Sequence, residues 1–214
     1  MKLTKQFFQQ EDVVMIAQSL LGTLLYSRIG GFFCCGLVTE TEAYDGINDK
    51  ASHAYGGKLT ARTRVMYEPG GISYVYFTYG IHCMFNVVSG KPGNPQAVLL
   101  RAIYPLEGVK LMQERRKKVL PFNKFTNGPA KLTQALGIDL RHNAIDLEGN
   151  TIWFETVIEP FTFDIRRGSR IGVGYAGEDA TLPYRFWMVD PEAVVNRNQD
   201  LIEQTLNQSQ SSSI

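Results

Sequence analysis

Apolar positions along the first quarter of the chain change from a helical to a strand-like spacing. Val13, Ile16, Ala17, Leu20, Leu21 and Leu24 fall on one face of a helix predicted within residues 13–25, with Glu11 and Asp12 at its positive end. LLYSRIGGFFCCGLVTETEAY reads as two strands folded at Gly30-Gly31. Residues 45–71, rich in Gly, Asn, Asp and Lys, predict a long loop, and such loops in compact domains are usually functional. ISYVYFTYGIHCMFNVV predicts a β-hairpin with its tip at Thr78-Tyr79-Gly80 and with Tyr74, Tyr76 and Thr78 on one face. QAVLLRAIYP predicts a strand buried apart from Arg101. EGVKLMQERRKKV predicts a helix with its basic residues toward the C-terminal end. NGPAKLTQALG predicts another, capped by Asn127, with Pro129 in the first turn and Gly137 closing it. TIWFETV, FTFDI and YRFWMV predict strands, and TLNQSQSSSI a frayed polar tail.

Strands follow one another without a βαβ rhythm. The expectation is an α+β fold: a single domain over residues 1–204, with a curved, mostly antiparallel sheet, flanking helices and a protruding hairpin, and a disordered tail over 205–214.

Composition narrows the class. The 214 residues are 44% hydrophobic and 20% charged, which fits a soluble globular domain and excludes bulk disorder and a disulfide-dense scaffold. Cys34 and Cys35 are adjacent and Cys83 is left over, so free thiols in a reducing cytoplasm are expected. The N-terminal MKLTKQFFQQED lacks the apolar core of a signal peptide, and no stretch is apolar enough to span a membrane. A net charge of +1 announces no nucleic-acid binder, but its distribution is uneven. Residues 101–142 carry nine basic and three acidic side chains, and residues 143–214 five basic and eleven acidic. The basic block is either a solvated helix face or a phosphate-binding stripe.

Few motifs announce chemistry. Gly172-Val-Gly174-Tyr-Ala-Gly177 has the spacing of a dinucleotide loop, but Pro183 forbids the helix that such a loop must open, so a tight turn or a close backbone approach is the better reading. No serine elbow, P-loop, HExxH or metal cluster is present. ETEAY places the carboxylates of Glu40 and Glu42 on one face of a strand, either as solvated acids of an exposed edge or as a reactive pair beside Tyr44 and His53. Tyr74, Tyr76 and Phe77 could fill a core, whereas Tyr79 at a turn suggests a wedge entering a base stack.

The stretches ETEAYDGINDKASHAYGG, YVYFTYGIHCMFNVV, VLLRAIYPLEG, NGPAKLTQALGI and RIGVGYAGEDATLPYRFW, in that order, resemble the alkyladenine (3-methyladenine) DNA glycosylase family. The resemblance spans roughly residues 10 to 190. It implies a monofunctional glycosylase that flips alkylated, and also deaminated or etheno, purines out of double-stranded DNA and leaves an abasic site, acting as a cytoplasmic, nucleoid-associated bacterial monomer without metal or cofactor. It implies Glu42 as the carboxylate that deprotonates water, with Arg101 and the carbonyl of Ile171 also holding that water. Tyr44, His53 and Tyr76 then form the base pocket, with Tyr44 and His53 on one side of the base and Tyr76 on the other. Asn86 is the pocket-floor residue that disfavours guanine. Tyr79 fills the gap left in the duplex. Ile81, His82, Lys58, Arg62 and Lys131 lie near the DNA. Arg101 is expected to keep Glu42 ionised. His82 and the KPGNP loop depart from the family pattern and bear on base preference. A lesion-binding module without catalysis, or a hydrolase of free nucleosides, are the alternatives. The first has no use for Glu42 with Arg101, and the second none for a wedge.

Overall fold

The computed structural model describes residues 1–78, 80–117, 121 and 124–211, with residues 210 and 211 described by their backbone alone. Its centre is an antiparallel sheet. β1 (Leu24–Ile29) turns at Gly30-Gly31 into β2 (Phe32–Tyr44), with Ile29 opposite Phe32. Both glycines have positive φ (63° and 79°), which this two-residue turn requires and L side chains resist. β3 (Ser73–Thr78) and β4 (His82–Ser89) form the second hairpin, and β5 (Gln96–Glu107) follows. With β6 (Ile152–Glu155) the order is β3-β4-β5-β2-β1-β6. β8 (Arg185–Met188) pairs with the C-terminal half of β2, and β7 (Ile165–Gly168) pairs with β8.

Strand alternation divides the core. Leu25, Cys34, Val38, Val98, Leu100 and Ile103 face one cluster, which α2 (Val13–Ser19), α3 (Val109–Arg116), α4 (Pro129–Leu136) and Phe8 of α1 (Lys5–Phe8) complete. Leu24, Tyr26, Cys35 and Leu37 face the other, beneath α5 (Pro191–Arg197) and α6 (Gln199–Ser211). The three cysteines are free thiols; Cys34 and Cys35 are buried and Cys83 half-buried. Among the described residues no helix is long and apolar enough to cross a membrane.

Several sequence expectations need correction. The first helix stops at Ser19 and Leu24 lies in β1, because the chain breaks at Gly22 (φ 78°). Asp12 caps that helix, accepting from the amides of Val14 and Met15. Gly128, not Asn127, occupies the cap position of α4, since Asn127 is drawn into a bridge with Ala102; Gly137 closes the helix as expected. Of FTFDI only Ile165 is strand, and Lys118 and Val119 of the basic helix lie outside the described residues. The polar tail is helical to Ser211: Thr205 and Leu206 are buried, and Ser209 bonds to Glu155, so amphipathic packing outweighs low complexity there. Arg101 is as buried as the rest of its strand, at 8% exposure.

Candidate active site

β2 and β5 are the longest pair, and their register slips at Cys35/Gly36 and then twice more near the middle. Val38 faces Ile103, Glu40 faces Ala102, and Thr41 faces Leu100. One extra residue, Thr39, therefore bulges from β2, and one, Arg101, bulges from β5. A bulge re-aims its side chain. Here the pair also re-phases the alternation, so that Val38 and Ala43 on β2, and Leu100 and Ile103 on β5, all stay in the core. Thr41 turns the same way and donates to the Ala17 carbonyl of α2 (2.7 Å). Glu40, Glu42 and Arg101 are left to meet. Because β5 covers one edge of β2 and β1 and β8 the other, the exposed-edge reading of ETEAY fails.

Glu42 is fully buried. Its Oε1 accepts from the Ile171 amide (2.7 Å) and lies 3.3 Å from a terminal nitrogen of Arg101; its Oε2 accepts from the Tyr44 hydroxyl (2.9 Å). Burial pushes this carboxyl above the ordinary range, and Arg101, the Ile171 amide and Tyr44 only partly oppose it. Arg101 favours the ionised form of Glu42, the direction expected of it, but desolvation is the larger effect and the net shift is upward. Ile171 contributes its N–H to the carboxylate.

The site opens into a cavity of about 350 Å³ lined by Tyr44, His53, Tyr76, Asn86, Arg101 and Ile171. The structure thus gathers all seven residues expected to hold water or base. The walls, however, are arranged differently. The His53 and Tyr76 rings meet edge to face at 4.7 Å, whereas a base between two parallel rings needs about 7 Å, twice a carbon contact distance. His53 and Tyr76 therefore share one wall, and Tyr44 also lines the cavity. Asn86 is buried opposite Tyr74 and donates to its carbonyl (3.0 Å).

His53 Nε2 lies 3.3 Å from Arg62, which can only donate, so Nε2 is the acceptor and Nδ1–H donates to the Tyr74 hydroxyl (2.8 Å). Burial and the Arg62 charge hold its pKa at about 4, and the ring is neutral near pH 7. Arg62, expected near the DNA, also lies 4.5 Å over the face of Tyr76, on the cavity side. Ile81 and His82 are exposed beyond the β3 end, and Lys58 and Lys131 are also exposed. Tyr79 lies outside the described residues. The basic block is only partly available for phosphates. Arg101 is in the pocket, Arg115 and Arg116 bind the Ala135 carbonyl and the Gln134 side chain to tie α3 to α4, and Arg141 pairs with Asp139.

Three site residues escaped the sequence reading. Arg170 and Asp49 form a fully buried two-pronged ion pair; Arg170 also donates to the Ala43 carbonyl (2.9 Å) and lies 4.8 Å over the Tyr44 ring. The pair stitches the 45–71 loop to the segment carrying Ile171. Tyr175 lines the cavity and donates to the Ala51 carbonyl (3.0 Å). An aromatic within GVGYAGED was the available signal. That glycine run is a turn. Residues 174–181 are short 3₁₀ turns broken at Gly177, Gly172 has φ 78°, and a side chain at either glycine would meet nothing, so conformation and not close packing explains them. A larger hollow of about 640 Å³ lies beyond Glu40, lined by Lys124, Arg185, Trp187 and Glu192; it has none of the aromatic rings of the base pocket.

Residues 6–192 match the methylpurine-DNA glycosylase family profile. A protein of Clostridium acetobutylicum is 41% identical over 88% of this chain and 94% of its own length. One of Desulfitobacterium hafniense is 42% identical (91% and 98%), and one of Borreliella burgdorferi is 44% identical (90% and 99%). Each carries the name "Putative 3-methyladenine DNA glycosylase".

Proposed function

The chain belongs to the methylpurine-DNA glycosylase family, and from that premise we propose that it excises damaged purines through Glu42. It is a DNA glycosylase, a hydrolase of base excision repair; the finer reading concerns its chemistry and its bases. A buried carboxylate, held by Tyr44, Arg101 and Ile171 where they line an aromatic cavity, carries that reading.

Water cannot reach a stacked base, so the nucleotide must first rotate out of the duplex. The cavity takes it with Tyr44 on one face and the His53–Tyr76 wall on the other. A cationic base such as 3-methyladenine is attracted to electron-rich rings by about 0.5–2 kcal/mol per contact. A neutral His53 preserves this attraction where an imidazolium would repel. For the same reason Arg62 must leave the face of Tyr76 when the base enters, and the DNA phosphates are its nearest alternative partner.

As the C1′–N bond breaks, its electron pair goes to the purine and positive charge builds on the sugar. Ionised Glu42 stabilises that charge and takes a proton from the water whose oxygen bonds to C1′. A cationic base is neutralised on leaving. Hypoxanthine and ethenoadenine, the deaminated and etheno substrates of the proposal, must in addition acquire a proton, as must any other neutral base. No amine attacks the sugar, so the product is an intact strand with an abasic site. Asn86 on the cavity wall is the proposed discriminator against guanine.

Methylated duplex DNA is the test. The protein should release 3-methyladenine and leave sites that break only on alkali treatment. Breakage without alkali would show lyase chemistry, and cleavage of free nucleosides but not of DNA would favour the hydrolase reading. The pH profile offers a second check. Because the Glu42 carboxyl is raised, the single-turnover rate should fall on acidification with a midpoint above the ordinary carboxylate value of 4.5. Arg101→Met, which removes the charge opposing that rise, should move the midpoint higher still. A limb at or below 4.5 contradicts the assignment.

A further inference from the structure

We propose that Glu40 is a positioning residue for the reaction: it holds and neutralises Arg101, so that Arg101 orients Glu42 without opposing the charge that forms on the sugar. The inference rests on the glycosylase reading above. Arg101 is the bulged residue of β5, so strand pairing alone does not aim its side chain. Two carboxylates do. Its Nε donates to Glu40 (3.0 Å) while a terminal nitrogen faces Glu42 (3.3 Å). Both groups are largely buried, the Arg101 side chain at 10% exposure and that of Glu40 at 14%.

Glu40 is itself fixed from the far side. The same oxygen lies 3.4 Å from Arg185, whose guanidinium sits 4.5 Å over Trp187, the strand partner of Glu40. Four charges therefore alternate across three strands, Glu42, Arg101, Glu40 and Arg185, and sum to zero. An unbalanced Arg101 would confront the cationic sugar with a second positive charge. Balanced by Glu40, it keeps its hydrogen bonds and loses most of its field. Glu40 lines the hollow on the other side of Arg101, whose side chain borders the base cavity, so it acts through Arg101.

A double-mutant cycle separates this role from mere support of the fold. Glu40→Gln should slow single-turnover release of 3-methyladenine from methylated duplex by about 100-fold, the size of effect that a small misplacement of a catalytic group produces. Affinity for a duplex carrying a tetrahydrofuran abasic mimic should stay within about twofold. In an Arg101→Met background Glu40→Gln should change the rate by no more than about twofold, because the residue it acts through is gone. Glu40→Asp, which keeps the charge, should recover part of the rate. An unchanged rate in Glu40→Gln, equal losses in both backgrounds, or a loss that tracks DNA affinity or melting temperature would overturn the proposal. Wild-type inactivity on methylated DNA would instead overturn the glycosylase reading, and this inference with it.

Discussion

Glu42→Gln should abolish base release while leaving the protein at least as stable as the wild type near neutral pH. The expected fall in single-turnover rate is about 10³-fold or more, since general-base catalysis and charge stabilisation disappear together. That corresponds to roughly 4 kcal/mol of transition-state stabilisation. The structure explains why the fold survives. A glutamine oxygen can still accept from the Ile171 amide, its NH₂ can donate to the Tyr44 hydroxyl, and Arg101 retains Glu40. Titration of Glu42 acts in the same direction. A carboxyl raised by burial contributes stability that is fully present below its unfolded pKa and is lost as pH rises through its folded pKa. Glutamine never ionises, so the melting temperature of the variant relative to wild type should increase as pH rises from about 4 toward 8. A variant that falls progressively behind wild type over that range would show that ionised Glu42 supports the fold, and would overturn the account of its environment.

Arg170→Met should be the opposite kind of variant, losing stability and activity together. It leaves Asp49 buried, with no counter-charge, at 3% exposure. Breaking such a pair from one side costs about 3–5 kcal/mol. For a domain of this length that is a fall in melting temperature of about 10 °C. Activity should also fall at temperatures where the protein remains folded, because Arg170 precedes the Ile171 amide on Glu42 and lies over the Tyr44 ring. The double variant Asp49→Leu with Arg170→Met should recover part of the stability, since the orphaned charge is gone, but not the activity. Stability and activity unchanged in Arg170→Met would show that the loop and the Ile171 segment are held by other contacts.

What could be read in advance was local. Gly30-Gly31 announces a two-residue turn by itself, and the alternation in ETEAY and in SYVYFT places side chains on a common face without reference to the rest of the chain. What could not be read depended on distant partners. Whether β2 lies at an edge is decided by β5 and β8, strands dozens of residues away. Asn127 has the chemistry of a helix cap, yet a bridge to Ala102 takes it first. The wall shared by His53 and Tyr76 follows from how the 45–71 loop folds over β3, which no periodicity records. Serine- and glutamine-rich composition hid the C-terminal helix, because Leu206 is one apolar residue among many polar ones and its burial is conferred by Tyr26, Trp153 and their neighbours. The raised Glu42 carboxyl is non-local too: Arg101 by itself favours the ionised form, and only full burial reverses the sign.

The paired bulges at Thr39 and Arg101 make residue count, as well as residue identity, part of this active site. One extra residue on each strand cancels the other, so pairing beyond the defect returns to the register it had before it. A single deletion on either strand would leave one bulge without its counterpart and shift the pairing of everything that follows by one residue, moving Glu42 out of step with Arg101. Two matched deletions would restore a regular ladder and a sound sheet, but without the arginine that faces both glutamates. Changes of length within these strands are therefore excluded, and homologues of this chain should vary in the loops at either end of β2 and β5 while keeping the same number of residues between them.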